Sequence, residues 1–374
     1  MATTRTRRRW PWLVVAAVLL ALGAWLTLGA EPPPRPPPPQ VKMPRRMSLE
    51  EKARGEERQT WVPLPVLDGG VAPPPSRPRD PVMALMPPSV KRGAVVAEVN
   101  AILNSELGGL MMDCLFEGDP GALAALRDGG FDPVTKVDRM AFIDDALVIT
   151  GDFRGANVDR LLPTTPTRIG YGQRGQLLEF PRRDGGMNVV GLWDSQLLVT
   201  GADEAATRAL LDRLETSGPV PRGVLDESDA WGEVYGAVSA EQLAELLGRE
   251  NEALAAIVRD NAEGMQMHLD VSHDVGLVGD VRVRDPAKGD ELRKALGSAL
   301  SLARLEAQAA GRQDEAQLLD LALVRGLEGS SFRLEAGLPH DFLKASLERC
   351  VERQRARRLE RDAERAVERD GGGP

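Results

Sequence analysis

The sequence predicts an α+β protein: two tandem domains of antiparallel β-hairpin-plus-helix units, preceded by a transmembrane helix and a proline-rich linker. Three observations predict it. An uncharged run at 10–30 follows an arginine cluster, and seventeen of the 28 prolines fall between residues 31 and 90. From residue 91 onward, segments of alternating apolar and polar residues recur between segments of helical period.

Arg5, Arg7, Arg8 and Arg9 precede the uncharged run. At about 1.5 Å per residue its length reaches about 31 Å, the thickness of a bilayer core. Trp10 and Trp12 stand at one end and Trp25 near the other, where indole rings favour the interface. Retention of the arginines on the cytoplasmic side makes residues 1–9 a cytoplasmic tail and residues 10–30 a bilayer anchor. The body then lies outside the cytoplasm. The alternative is a cleaved signal peptide and a secreted body, with the cut after Gly29.

Residues 31–40 hold seven prolines, which fix φ and remove backbone donors, so this stretch forms an extended polyproline II rod of roughly 30 Å. The whole of 31–90 reads as a disordered spacer, with one helical candidate at 48–58 opened by a Ser48/Glu51 capping box.

In the body, Val95, Val99, Ile102, Leu103, Leu107, Leu110 and Met111 recur at helical spacing and predict a helix over 91–115. Residues 140–151 read as two strands joined at Asp144 and Asp145. Residues 190–201 repeat that pattern, with Asp144/Asp194, Leu147/Leu197, Thr150/Thr200 and Gly151/Gly201 coinciding. Helices are expected near 156–162 and over 204–215. Further on come a strand at 231–238, a short helix at 240–247, a hairpin over 265–283, a helix at 290–308, a hairpin over 321–334 and a helix from Asp341. The domains run over 91–222 and 223–345. Residues 346–374 form a charged helix with a Gly-rich tail, either solvated or joining two copies of the chain.

Net charge is −9, but residues 1–50 carry eight bases against two acids, while 51–350 carry 32 bases against 48 acids. An acidic body excludes nucleic acid as a partner. Cys114 and Cys350 lie on apolar helix faces, where free cysteine is a common small hydrophobe; two buried thiols are expected, although the compartment would also permit a disulfide.

Chemistry is sparse. Gly170, Gly172 and Gly175 satisfy a G-x-G-x-x-G spelling, but a strand rather than a helix follows, so a turn is expected and not a dinucleotide site. On the strand at 265–271, alternation puts Met265, Met267, Leu269 and Val271 on one face and Gln266, His268 and Asp270 on the other. That separates His268 from the methionines and argues against a copper site; His273 and Asp274 beside His268 and Asp270 are the alternative, a zinc site. Asp144 and Asp145 fall where a hairpin needs turn residues. His340 sits at a helix start. Three tryptophans belong to the anchor and Trp61 to the linker, leaving Trp193 and Trp231 in the body and little support for polysaccharide binding. No catalytic, cofactor or metal residue is assigned.

This layout of anchor, proline-rich spacer and hairpin–helix domains resembles that of uncharacterised membrane-anchored envelope proteins of bacteria. The resemblance is one of plan and carries over no functional residue; it implies a bacterial inner membrane and a periplasmic body. The function expected is a non-catalytic, membrane-tethered extracytoplasmic binding or scaffold protein acting on another envelope protein or a ligand. An envelope hydrolase with a dispersed site, or an oligomeric structural protein, are the alternatives.

Overall fold

The computed structural model describes residues 47–58, 80–117, 124, 127–128, 132–155, 164–182, 186–216, 223–248, 251–271, 274–327 and 331–371. All of them fall in the compact unit Val41–Pro374. The anchor at 10–30, the polyproline rod, the helix expected near 156–162 and His273 lie outside the described residues. Among the described residues, no helix is long and apolar enough to cross a membrane.

The fold is α+β with an antiparallel sheet. Its strands are β1 (Gly93–Ala97), β2 (Val137–Ile143), β3 (Ala146–Gly151), β4 (Thr167–Tyr171), β5 (Gly175–Pro181), β6 (Met187–Trp193), β7 (Leu197–Thr200), β8 (Val234–Ser239), β9 (Ala262–Asp270), β10 (Val275–Val283), β11 (Leu323–Gly326) and β12 (Ser331–Leu338). They form one twelve-stranded sheet in the order β11-β12-β10-β9-β8-β1-β2-β3-β7-β6-β5-β4. Pairing of β1 with both β2 and β8 joins the strands of 91–222 to those of 223–345.

The expected hairpins form because alternation and turn chemistry agree. Asp144, Asp194 and Ser195 adopt positive φ (51°, 50° and 53°), which asparagine-like and small polar residues tolerate. The repeat is less regular than the sequence suggests. Ile143 pairs with Ala146 across a two-residue turn, whereas Trp193 pairs with Leu197 across three residues. The two hairpins meet through their second strands, Val148 opposite Val199.

The helices are α1 (Leu49–Arg58), α2 (Pro81–Leu85), α3 (Val99–Leu103), α4 (Glu106–Phe116), α5 (Pro133–Lys136), α6 (Glu204–Glu215), α7 (Ala240–Gly248), α8 (Glu252–Asn261), α9 (Pro286–Ala309), α10 (Gln313–Asp320) and α11 (His340–Gly371). The single helix expected over 91–115 is a correction. Its first part is β1, where Ala94 and Val96 are fully buried, and α3 and α4 follow separately. β-Branched valines suit a pleated surface, and the slot between β2 and β8 supplies partners that outweigh the helical spacing. α1 begins with the expected box: Glu51 N–H donates to Ser48 Oγ at 3.2 Å and Ser48 N–H to the Glu51 carboxylate. α2, within the stretch read as spacer, buries Val82 and Leu85.

Register places the two main cores on opposite faces of the sheet. On the front face Ala94, Val96, Ala141, Val148, Val199, Tyr235 and Ala237 pack with α2 and α6. On the back face Val281, Val283, Phe332 and Met265 pack with α7, α8 and α9. Met265 pairs with Val238 and Val281, while His268 pairs with Tyr235 and Val278, so the methionine and histidine faces separate as alternation requires.

The expectation of two free thiols is also corrected: Cys114 of α4 and Cys350 of α11 form a disulfide. The first turns of α11 lie along α4, with Lys344 Nζ donating to Glu106 at 2.6 Å and Arg355 Nε to Glu117 at 3.2 Å. That contact aligns two apolar-face cysteines that lie 236 residues apart in sequence. Closing so long a loop restricts the unfolded chain, so reduction or Cys350→Ser should lower stability by roughly 2–4 kcal/mol, read as an earlier thermal midpoint without dithiothreitol dependence in the variant.

Candidate functional site

Alternation along β2 puts Arg139 on the inward side with Ala141 and Ile143, and its side chain is only 2% exposed. A register shift between Val137 and Arg139 marks a bulge at this point. A buried guanidinium needs a carboxylate, and Asp80 supplies it. Arg139 Nη1 and Nη2 donate to the two Asp80 oxygens at 2.5 and 2.9 Å, and Asp80 also caps α2 by accepting from Val82 N–H at 2.8 Å.

Beside this pair lies a second one. Glu98 follows β1 on the same face and accepts from Arg58 of α1 at 3.0 and 2.7 Å and from the Tyr235 hydroxyl at 3.0 Å. Arg58 also donates to Asp138 at 2.9 Å. α1 buries none of its own residues. It is held instead by Arg58 at one end and, at the other, by Glu51 accepting from Gly232 N–H.

Burial opposes ionisation of Asp80, yet the Arg139 charge, its two bonds and the Val82 N–H together hold the carboxyl below its ordinary value. Burial likewise works against the charge on Arg139, and Asp80 overrides it and holds the guanidinium firmly protonated. Desolvation pushes the Tyr235 phenol well up, so it donates as a neutral hydroxyl.

α1 covers a cavity of about 500 Å³ above this cluster. Four register partners, Arg139, Thr150, Leu197 and Trp193, cross β2, β3, β7 and β6 in one row and line it. Arg54, Glu57 and Arg58 of α1 form the opposite wall, and Lys136, Asp138 and Asp152 stand at the rim. Asp152 accepts from Arg154, which with its neighbour Lys136 brings its pKa to about 2. Arg54 Nε, Arg139 Nε and Thr150 Oγ1 are buried away from solvent and make no hydrogen bond, although Asp138 Oδ2 stands 3.5 Å from Arg139 Nε. Trp193 Nε1 is already used, donating to Glu215 at 3.0 Å.

The residues singled out in the sequence are not gathered here. Asp144 Oδ1 accepts from the backbone N–H groups of Lys91 and Arg92 at 2.9 and 2.8 Å, and Asp145 pairs with Arg92, so both serve the turn. Gly170 is in β4, Gly172 in the turn at φ 57° and Gly175 in β5, a hairpin with no helix to receive a pyrophosphate. His268 is 3% exposed and stacks on Trp231 at 3.6 Å, its Nδ1 3.2 Å from the Trp231 carbonyl. Burial pushes its pKa down. His340 lies 3.6 Å from Glu106, and Asp274 accepts from His340 N–H at 3.0 Å. Among the described residues, no cluster of three or more histidine, cysteine or acidic side chains is placed to hold a metal.

The missed residues carried one usable signal. Strand alternation in Val137-Asp-Arg-Met-Ala-Phe-Ile143 places an arginine at an inward position, and an inward arginine implies a carboxylate partner elsewhere.

No family model matches the sequence. No curated protein matches it either. A solved chain titled "Structure of crystal form I of TP0453" is similar over 72% of this chain and 96% of that chain, at 10% identity and a TM-score of 0.42. A likeness that loose carries no argument here.

Two outcomes test the cluster. Asp80→Asn keeps a good helix cap but removes the two-bond partner of Arg139, leaving only the more distant Asp138 and Glu98 charges, and should cost about 3 kcal/mol in denaturant unfolding. Adding Arg139→Met should recover most of it. The pH dependence contributed by His268 and Asp80 runs one way, while burial raises the Glu233 carboxyl and opposes it at acid pH. His268 has a folded pKa below its unfolded value of 6.5, so its contribution is complete above that pH and declines as pH falls. Asp80 adds a second decline below its unfolded value of 3.8. Thermal midpoints should therefore drop between about pH 7 and 5, and His268→Gln should flatten that segment of the curve.

Proposed function

We propose that this chain is a non-catalytic, membrane-tethered extracytoplasmic binding protein of a bacterial envelope, held by residues 10–30, and that the cavity beneath α1 is its ligand site. The observation that carries this reading is the cavity of about 500 Å³ beneath α1, whose lining sets charged Arg54, Arg58, Lys136, Asp138 and Asp152 against apolar Leu197 and Trp193. Its volume lies within the range of small-molecule sites, about 300–1,000 Å³.

The acids around the cavity support holding rather than transforming. Of the acids on the lining, Asp138 and Asp152 are each paired with a cation, as is Asp80 beneath it, and Glu57 stands beside Arg58 in sequence. The depressed pKa values of Asp80 and Asp152 make them poor proton acceptors and keep them from serving as acids near neutrality. The disulfide suits an oxidising compartment. The arginine cluster before residues 10–30 suits an orientation with the body outside the cytoplasm.

The tether and location are tested in a bacterial host producing the full chain. It should stay in the membrane pellet through carbonate extraction, and protease added to spheroplasts should digest the body. Recovery of the body in the soluble fraction, or its protection until the inner membrane is lysed, would overturn this placement.

A further inference from the structure

Access to the cavity follows from the way α1 is attached, and the inference rests on the binding role proposed above. On the cavity floor Thr150, Trp193 and Leu197 are 6%, 2% and 1% exposed, so entry to that floor needs a wall to move. A surface helix ordinarily docks through an apolar stripe. In α1 the half-buried positions are Glu51, Arg54, Gly55 and Arg58, which follow i, i+3, i+4 and i+7 along one face. Its largest apolar side chain, Leu49, is 88% exposed. A Cβ added at Gly55 would meet nothing within 4 Å, so the middle of the helix backbone stands clear of the sheet. α1 is therefore docked by charge, without the apolar burial that fixes α2 through Val82 and Leu85.

The groups that receive α1 are kept in place by the body itself. Glu98 accepts from Arg58 at 3.0 and 2.7 Å, but its own N–H donates to the Glu233 carbonyl at 2.7 Å and its carboxylate also accepts from Tyr235. Asp138 accepts from Arg58 at 2.9 Å and also stands 3.5 Å from Arg139 Nε. Departure of α1 leaves both carboxylates a partner and opens them to water. At the other end Glu51 takes one bond from the body, the Gly232 N–H. Burial first, and then the Asp270 and Glu51 charges, hold the neighbouring Glu233 carboxyl above its ordinary value, so like charge works against this latch. Polar contacts at the two ends of a helix about 15 Å long are the pattern of an element that opens at lower cost than the whole fold.

We propose that α1 is the lid of the cavity. It lifts from its charged seat while the twelve-stranded sheet stays folded, and a ligand enters and leaves through the gap left by Arg54, Glu57 and Arg58.

The movement is measured without any ligand, so the lid and the binding role can fail separately. The chain's two cysteines are joined to each other, so a single introduced thiol is the only one free to react. Thr150→Cys puts it on the cavity floor, and Val281→Cys, at a position 1% exposed, puts it in the back core. Each full chain, folded in detergent, is treated with a polymer maleimide too large to enter the cavity beside a docked α1. The thiol of Thr150→Cys should react at least about tenfold faster than that of Val281→Cys, because lifting α1 costs less than unfolding. Adding Arg58→Met leaves Glu98 charged beneath α1 and should speed the reaction on the floor about tenfold more. Adding Glu51→Gln, which keeps a weaker acceptor for Gly232, should speed it about threefold. Neither latch variant should change the rate in the back core by more than about twofold. Equal rates at the two positions, or acceleration of both together, would mean that α1 leaves only when the sheet unfolds, and the lid is overturned. The same holds if neither latch variant speeds the reaction on the floor.

Discussion

A guanidinium buried to 2% exposure persists only beside a carboxylate, and much of this structure is arranged around meeting that demand for Arg139. Asp80 cannot reach it unless the chain before β1 folds back over the front of the sheet. The residue that neutralises Arg139 also caps α2, which seats Val82, Leu85 and Met86 in the core. Arg213 of α6 then donates to the Leu85 carbonyl at 2.9 Å. One ion pair thus couples the middle of the sheet to two helices. The neighbouring pair extends the coupling, since Glu98 receives Tyr235 from β8 and Arg58 from α1. Removing either partner of such a pair is far more damaging than replacing both, because the remaining charge has no water to turn to.

The sequence was most legible where the folding rule is local. The hairpin around Asp144, the pair β9 and β10, and α6 are each specified within about twenty residues by alternation, turn chemistry or helical period. β1 was misread because nothing near it distinguishes a strand. Its partners β2 and β8 lie about 40 and 140 residues further along, and only those pairings decide between helix and strand for Gly93–Ala97. The disulfide was obscured for the same reason, since the packing of α11 on α4 is a long-range fact. The site was the least legible part. Arg139 could have been flagged as an inward charge, but Asp80 stood among prolines that read as spacer, and Thr150 looked like any residue of a β-strand.

The two faces of the sheet do different work. Behind it, α7, α8 and α9 cover an interior of valine, leucine, alanine and phenylalanine, which a wide range of apolar sequences would fill. In front, the row from Arg139 through Thr150 and Leu197 to Trp193 mixes charge, hydroxyl and apolar surface within four adjacent strands. A polar interior is intolerant of substitution, because each group lost leaves its partner unsatisfied. His268, flat against Trp231 and next to Tyr235 in register, extends this polar seam toward β10.

The bond between Cys114 and Cys350 has a consequence in time as well as in space. A chain made from its N-terminus presents Cys114 while its partner is still 236 residues away, and every strand from β2 to β12 lies inside that interval. The correct partner does not exist until nearly all of the body has been synthesised. The early cysteine must therefore wait unreacted, and closure of the ring becomes one of the last covalent events in maturation, a seal on a sheet already assembled.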